Sequence, residues 1–473
     1  MDHLAFWLIL PIVWACIHVL TAALGGRKSG SSTLPPGPRP FPIIGNILEL
    51  GNKPHQEVAK LSKTYGPLMT LKLGSITTIV SSPDIAKEAL QKNDQAFSSR
   101  TIPDSIQVFN HPKASMVWLP ALARWRNLRK LSATKIFAPQ QLDATQTLRQ
   151  KKVKELLNHV DQCGSGGEVV DIGRLAFITV LNSISNTFFS IDLAQYSSNL
   201  QSQEFQDLIF GIMEFLGKPN IVDYFPALRL VDPASSEGSK ASNDVLDSFL
   251  NLAEEDNSEL SYDDFKHLLL DLFIAGIDTT SSTVEWALSE LINNPEKMVK
   301  ARDELKEVLG KNRLVQEVDI SKFPFLQAIV KETLRLHPPG PFLVPHKAET
   351  NVEMRGFIVP KNAQILVNVW AMGRDSSIWT NPNLFMPERF LEQDIDFKGK
   401  YFELIPFGAG RRICPGLPFA NRMVHLMLAS LVHFFNWKLA DEMNPEDMDM
   451  SESETFGLTL HRAKSLRVIP TRV

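Results

Sequence analysis

Pro406-Phe407-Gly408-Ala409-Gly410-Arg411-Arg412-Ile413-Cys414-Pro415-Gly416 sets one cysteine among three glycines, with two arginines just upstream. Glycine accepts positive φ and lets a flat ligand approach the backbone closely. An apolar helical pattern begins near Pro418, so Cys414 is expected beside a helix N-terminus. That dipole, with Arg411 and Arg412, is expected to favour the thiolate over the thiol. A thiolate on iron pushes electron density toward O–O cleavage. A phosphate cradle fits less well, because both G-x-G-x-x-G and the P-loop lysine are missing. A zinc site fails for want of a second cysteine or a nearby cysteine–histidine pair. A cysteine nucleophile stays open on these residues alone.

The chain has 473 residues, is 44% hydrophobic and carries a net charge of −4. It can bury a large core and has no basic excess that would suit nucleic acid. Three widely spaced cysteines, Cys16, Cys163 and Cys414, argue against a disulfide framework and for a reducing compartment. Cys16 lies in an apolar segment and Cys163 in a Gly/Ser-rich stretch read as a turn, so Cys414 is the cysteine that needs a role.

Leu4–Leu24 is apolar except for Pro11, His18 and Thr21, and its length gives ~31 Å of helix, about one hydrocarbon thickness. A cleaved signal peptide is the alternative, but the start carries Asp2 and neither Lys nor Arg. Arg27 and Lys28 follow directly, which places the rest of the chain in the cytosol by the positive-inside rule. Ser29–Thr33 reads as a linker, and Leu34–Pro40 as a stiff proline-rich spacer. Residues 1–33 are thus expected to be membrane anchor and linker, and 34–473 one catalytic body.

Within that body no repeat or low-complexity block occurs. Helical patterns cover His55–Tyr65, Asp84–Lys92, Leu148–His159, Phe265–Ile292, Glu296–Leu309, Leu326–Leu336 and Phe419–Phe435. Strand-like runs are Leu68–Leu73, Thr77–Val80, Ile365–Val369, Leu458–Leu460 and Val468–Pro470. The fold class is therefore mainly α with a small β-sheet region.

Three more motifs stand upstream of the cysteine loop. Lys331-Glu332-Thr333-Leu334-Arg335 puts Glu332 and Arg335 one helical turn apart, and Pro387-Glu388-Arg389-Phe390 follows. Ala275-Gly276-Ile277-Asp278-Thr279-Thr280 sets a glycine inside a long helical pattern, where it costs ~1 kcal/mol relative to alanine. Either a local distortion for function or close helix packing would explain it. Trp125-Arg126-Asn127-Leu128-Arg129 places Trp125 and Arg129 on one helix face.

With these motifs in this order, the loop resembles the heme-binding pattern F-x-x-G-x-R-x-C-x-G of cytochromes P-450. Phe407, Gly410, Arg412, Cys414 and Gly416 fill its defined positions. The resemblance implies the P-450 fold behind a single N-terminal transmembrane helix, and heme b with Cys414 as axial ligand. It implies that Glu332, Arg335 and Arg389 form a buried triad, and that Trp125, Arg129, Arg412 and His346 meet the heme propionates. It implies oxygen activation at the Ala275–Thr280 segment, with Thr279 as the hydrogen-bonding hydroxyl and Asp278 as proton relay.

No nicotinamide or flavin fingerprint occurs, so electrons are expected from a separate protein; the family implies an NADPH–cytochrome P-450 reductase on the same endoplasmic reticulum membrane. Arg126, Lys130, Arg411 and Arg422 are candidates for a basic docking patch. The pocket candidates are Val108, Phe109, Met116, Trp118, Phe273, Ile274, Ala275, Phe342, Leu343, Val344, Phe456 and Leu458, which imply a hydrophobic small-molecule substrate. Lys240–Leu252, Ser282–Lys300, Leu336–Lys347 and Phe402–Ser430 are similar to the plant geraniol 8-hydroxylase-like group. That similarity implies hydroxylation of a terpenoid such as a monoterpene alcohol. One departure stands out: after Asp232-Pro233, about 25–30 residues of a helix that roofs the family's pocket look missing, roughly 40 Å. Two rivals therefore stay open, a dioxygen-independent heme-thiolate isomerase or dehydratase, and a heme binder impaired by a shortened roof. Thr279 argues against the first, because relatives with that chemistry often lack this threonine.

Overall fold

The computed structural model describes residues 33–196, 200–217, 262–453 and 457–473. The expected membrane span at 4–24, the departure after Pro233 and Phe456 lie outside the described residues, as do the side chains of Val108 and Phe109. Among the described residues no helix is long and apolar enough to cross a membrane.

Nine helices of eight or more α-helical residues organise the described body. They are α1 (Pro54–Tyr65), α2 (Ala123–Leu131), α3 (Gln146–Gly166), α4 (Ile172–Phe189), α5 (Leu200–Gly217), α6 (Tyr262–Asn293), α7 (Pro295–Leu309), α8 (Pro324–Leu336) and α9 (Leu417–Phe434). Pro54, Pro295, Pro324 and Pro418 stand in the first turn of α1, α7, α8 and α9, where proline's missing N–H costs nothing. The long α6, ~48 Å at 1.5 Å per residue, crosses the molecule and packs against α4, α8 and α9. In α9 every residue from Met423 to Phe434 is buried, which marks a helix enclosed on all sides.

Three small sheets flank the helices. The largest is ordered β1 (Leu68–Leu73), β2 (Ser75–Val80), β8 (Gln364–Val367), β5 (His346–Lys347) and β3 (Ser99–Arg100). β1 and β2 form an antiparallel hairpin that turns at Gly74, where φ is +66°. β2 then pairs in parallel with β8, and β5 carries β3 on its far edge so that Arg100 faces His346 in register. A second sheet joins β4 (Val170–Asp171), β10 (Arg467–Arg472) and β9 (Phe435–Leu439), and the third is β6 (Val352–Met354) with β7 (Phe357–Val359).

Several expectations need correction. Cys163 is not in a turn, because α3 continues to Gly166 and ends at Gly167 in the left-handed region. Leu458–Leu460 is not a strand: Leu458 N–H donates to Met213 O and Leu460 N–H to Pro339 O, which are irregular partners. The strand expected to reach Val369 stops at Val367, because the Asn368 side chain accepts from Ala371 N–H and caps a short helix there. The pattern at Asp84–Lys92 divides into an α-helical turn, Pro83–Lys87, and a π-helical turn, Glu88–Lys92. Helix α4 carries no 3.6-residue period in sequence, because its residues Leu175–Ser185 are all buried.

Candidate functional site

A cavity of about 300 Å³ lies between α6 and the cysteine loop, lined by Cys414, Phe407, Gly408 and Gly416 on one side and by Ala275, Gly276, Thr279 and Thr280 on the other. The loop is closed by Cys414 N–H donating to Phe407 O at 2.9 Å and Gly408 N–H donating to Ile405 O at 2.9 Å. Gly408 and Gly410 hold φ of +71° and +66°. A Cβ on Gly410 would stand 1.8 Å from Leu90 O, so the loop's seat on the helical turn at Leu90 requires glycine. Gly410 does not line the cavity; it fixes the loop from behind.

Burial pushes the Cys414 thiol up, and the N–H groups of Gly416 and Leu417 at the start of α9 and the Arg129 guanidinium oppose that shift. The expected help from Arg411 and Arg412 is corrected here. Arg411 turns outward to Asp94 at 3.3 Å. Arg412 donates to the carbonyls of Ser98 at 2.8 Å, Met116 at 3.2 Å and Leu119, with its guanidinium 4.6 Å from the centre of the Trp125 ring. The cation that acts on the sulfur is Arg129, which also donates to Ile413 O. Trp125 is fixed by its indole N–H donating to Met116 O at 3.1 Å.

Arg129, Arg412, His346 and Trp125 all line the cavity, and a further cation joins them that sequence reasoning missed. Arg100 lines it too, held by donation to Val344 O at 2.5 Å, while its buried Nε has no partner among the described residues. Its place depends on β3 pairing with β5 across 246 residues, which no local pattern carries. Burial lowers all three guanidiniums; Arg100 is pushed further down by Arg412, and Arg412 falls to about 10 with help from Arg129. His346 Nδ1 donates to Phe97 O at 2.7 Å, and burial with Arg100 and Arg412 drives its pKa well below the usual range. Three mutually repelling cations, one with an orphaned N–H, beside a buried cysteine fit a dianionic group with an electrophilic metal centre.

On α6, Thr279 lines the cavity and its Oγ1 donates back to Ala275 O at 2.7 Å. The helix runs unbroken through this segment and past Gly276. A Cβ there would stand 3.2 Å from Ile184 Cδ1, which assigns the glycine to close packing against α4. Asp278 is fully buried and does not line the cavity. Its Oδ2 accepts from Thr459 Oγ1 at 2.6 Å and lies 3.4 Å from His461 Nε2, while Oδ1 has no partner among the described residues. Thr459 itself lines the cavity, so the acid meets that space only through this hydroxyl. Neither Thr459 nor His461 was foreseen.

Glu332, Arg335 and Arg389 meet in the interior, outside the cavity lining. Arg335 donates Nε and Nη2 to the two Glu332 oxygens, each at 2.7 Å, and Arg389 Nε donates to Oε1 at 3.1 Å. The remaining Arg335 donors go to Pro382 O at 2.7 Å, Leu384 O and Gly373 O. Met116, Ala275, Leu343, Val344 and Leu458 line the cavity, whereas four other pocket candidates do not. Phe342 belongs to the small core under β1 and β2, and Trp118 is buried away from the cavity. Phe273 stacks with Phe189 inside the main core, and Ile274 packs on that core's outside. In the expected docking patch, Arg422 bridges Asp143 and Glu317 at 2.7 and 2.8 Å, leaving Arg126 and Lys130 exposed.

The family model for cytochrome P-450 matches residues 35–240 and 229–466. The chain belongs to the cytochrome P-450 family. The P-450 is 52% identical to "Cytochrome P-450 monooxygenase 76AD131" of Lophophora williamsii, over 98% of each chain. It is 51% identical to "Cytochrome P-450 76T24" of Catharanthus roseus over 97% of each, and 48% identical to "Geraniol 8-hydroxylase" of Catharanthus roseus over the full length of both. It is a P-450 monooxygenase of the 76 group, and its family binds heme through a cysteine thiolate. The alignment with geraniol 8-hydroxylase runs over 500 positions, so at least 27 of them face no residue of this 473-residue chain. The two stretches matched by the family model overlap at 229–240.

Proposed function

We propose that this P-450 hydroxylates a terpenoid, a monoterpene alcohol such as geraniol, with electrons from an NADPH–cytochrome P-450 reductase on the endoplasmic reticulum membrane. Residues 1–33 are its anchor and linker, and the body 34–473 faces the cytosol. The observation that carries this reading is one cavity with Cys414 at its floor, three guanidiniums on one rim and apolar side chains over most of the rest.

In this reading Cys414 would hold the heme iron through its thiolate, and Gly416, Leu417 and Arg129 offset the cost of burying its charge. Heme held by a thiolate supplies dioxygen activation when bound. Arg100, Arg129 and Arg412 would hold the two propionates, where planar guanidinium matches carboxylate geometry. Trp125 supports Arg412 from one face, and neutral His346 can offer its Nε2 side to the same group. Thr279 presents a hydroxyl to the cavity, and Asp278 can deliver a proton through Thr459 Oγ1. The triad of Glu332, Arg335 and Arg389 positions the segments under the cysteine loop. The apolar lining selects a hydrophobic substrate.

The carbon monoxide difference spectrum of the reduced protein tests the thiolate, and lack of the thiolate-type Soret shift would refute the site. Turnover with NADPH, reductase and a panel of terpenoids tests the substrate class, and products from none of them would refute it. The positions missing relative to geraniol 8-hydroxylase favour a second reading, in which heme is bound but the substrate roof is shortened and turnover impaired. A full thiolate spectrum with no product from any panel member selects that reading.

A further inference from the structure

Asp271 is the one carboxylate among the described residues that line the cavity. It is buried, and the fold equips it with donors from a distant segment. Ser115 Oγ stands 2.8 Å from both of its oxygens, His111 Nε2 lies 3.1 Å from Oδ1, and Val117 N–H lies 3.4 Å from Oδ2. A carboxylate only accepts, so His111 Nε2 carries the hydrogen and its Nδ1 accepts from His267 Nδ1 at 2.7 Å. Each ring needs only one proton for this pattern. Asp271, Ala275 and Thr279 recur every four residues, and all three line the cavity. At 1.5 Å per residue, Asp271 sits ~12 Å along the helix axis from Thr279.

We infer that Asp271, set by Ser115 and His111, is a hydrogen-bond-accepting subsite that holds the hydroxyl of an apolar alcohol substrate, so that oxygen enters at the opposite end of its carbon chain. The inference deepens the terpenoid-alcohol reading above and rests on it. The separation from Thr279 leaves room for a monoterpene alcohol lying along α6. A carboxylate offers about four acceptor positions, and the protein already fills most of them, which suits one hydroxyl donor better than the three of an ammonium group. A buried acceptor with an open position favours the ligand that fills it over an isostere that leaves it empty.

Asp271 also ties the segment Asp104–Lys113 and its continuation to α6, and the test separates that role from recognition. The holoprotein is titrated with geraniol and with the hydrocarbon in which hydrogen replaces its hydroxyl, reading the substrate-induced Soret shift. Asp271→Asn is expected to weaken geraniol about tenfold, equivalent to ~1.4 kcal/mol, while leaving the hydrocarbon within about twofold. Ser115→Ala, which keeps the carboxylate, is expected to shift geraniol in the same direction by less, and it carries the comparison if Asp271→Asn does not retain heme. Product analysis with geraniol should show oxidation spread over more carbons in Asp271→Asn. Equal weakening of both ligands, or no change in either, overturns the inference while the terpenoid reading stands. A wild-type protein that responds to neither ligand overturns that reading and this inference with it.

Discussion

Glu332→Gln is expected to be among the most damaging single-atom changes in the described body. Glu332 is fully buried and accepts from Arg335 Nε and Nη2, Arg389 Nε, and Met386 N–H at 2.7 Å. Glutamine keeps the volume but removes the charge and points an N–H at a guanidinium. Two buried cations then share one neutral acceptor, and breaking one partner of a buried ion pair costs ~3–5 kcal/mol. Arg389→Met should cost less, ~1–3 kcal/mol, because Glu332 keeps its fork with Arg335. The double variant should fall short of the sum by ~1–2 kcal/mol, since each change removes part of what the other removes. Urea unfolding of the four proteins, followed by tryptophan fluorescence, measures this. Trp379 is a built-in reporter, with the two guanidiniums 5.4 and 5.9 Å from its ring centre. Additivity within ~0.5 kcal/mol, or a Glu332→Gln cost below that figure, would refute the account of Glu332 as the shared anion.

Three further outcomes are expected. Arg100→Gln should lower the heme retained after purification without moving the thiolate Soret band, because it removes a rim cation and leaves Cys414 alone; an unchanged heme-to-protein ratio would count against its proposed role. Glu452, bonded by His55 at 2.8 Å and Trp370 at 2.6 Å, has its pKa lowered to about 2 against strong desolvation. Its contribution is complete above the ordinary value of 4.5 and is lost as pH falls toward 2, ~3 kcal/mol in all. Glu452→Gln should therefore flatten the acid limb of a stability–pH curve between about pH 4.5 and 2, and a parallel limb would sink the assignment. Thr279→Ala should bind heme normally but yield less product per NADPH consumed, and unchanged coupling would remove Thr279 from the proton-handling scheme.

The parts legible in sequence were those that local geometry encodes. Glu332 and Arg335 are three residues apart on a helix, and that spacing alone brings their side chains together. The amphipathic α1, α7 and α8 announce themselves by period, and their first-turn prolines mark where they start. Two kinds of feature were not legible. An element buried all round, such as α4, erases the very period that would reveal it. A side chain placed by pairing across the chain, such as Arg100 opposite His346 or Thr459 beneath Asp278, has no local signature. Two of the pocket candidates miss the cavity for a related reason. Phe273 and Ile274 are apolar and adjacent to Ala275, yet on a helix neighbours point in different directions, and only Ala275 faces the cavity.

The charge pattern of the cavity follows from how its walls are assembled. Three of its four lining arginines come from β3, α2 and the cysteine loop and repel one another until an anion arrives, whereas the fourth, Arg149 of α3, is paired with Glu317. Its acids come from α6 and are kept apart from that rim: Asp271 is held by Ser115 and His111, and Asp278 is withdrawn behind Thr459. Asp278 therefore cannot act on the cavity without the segment 457–461. That segment is pinned by Leu458 N–H to Met213 O, Leu460 N–H to Pro339 O and Ser282 Oγ to Leu460 O. Proton supply, on the roles proposed here, depends on α5 and α6 clasping this stretch between them. A change that loosens the contact of Met213 with Leu458 should then disturb proton supply and, because both residues line the cavity, substrate seating as well, while leaving the cysteine loop and its thiolate Soret band unchanged.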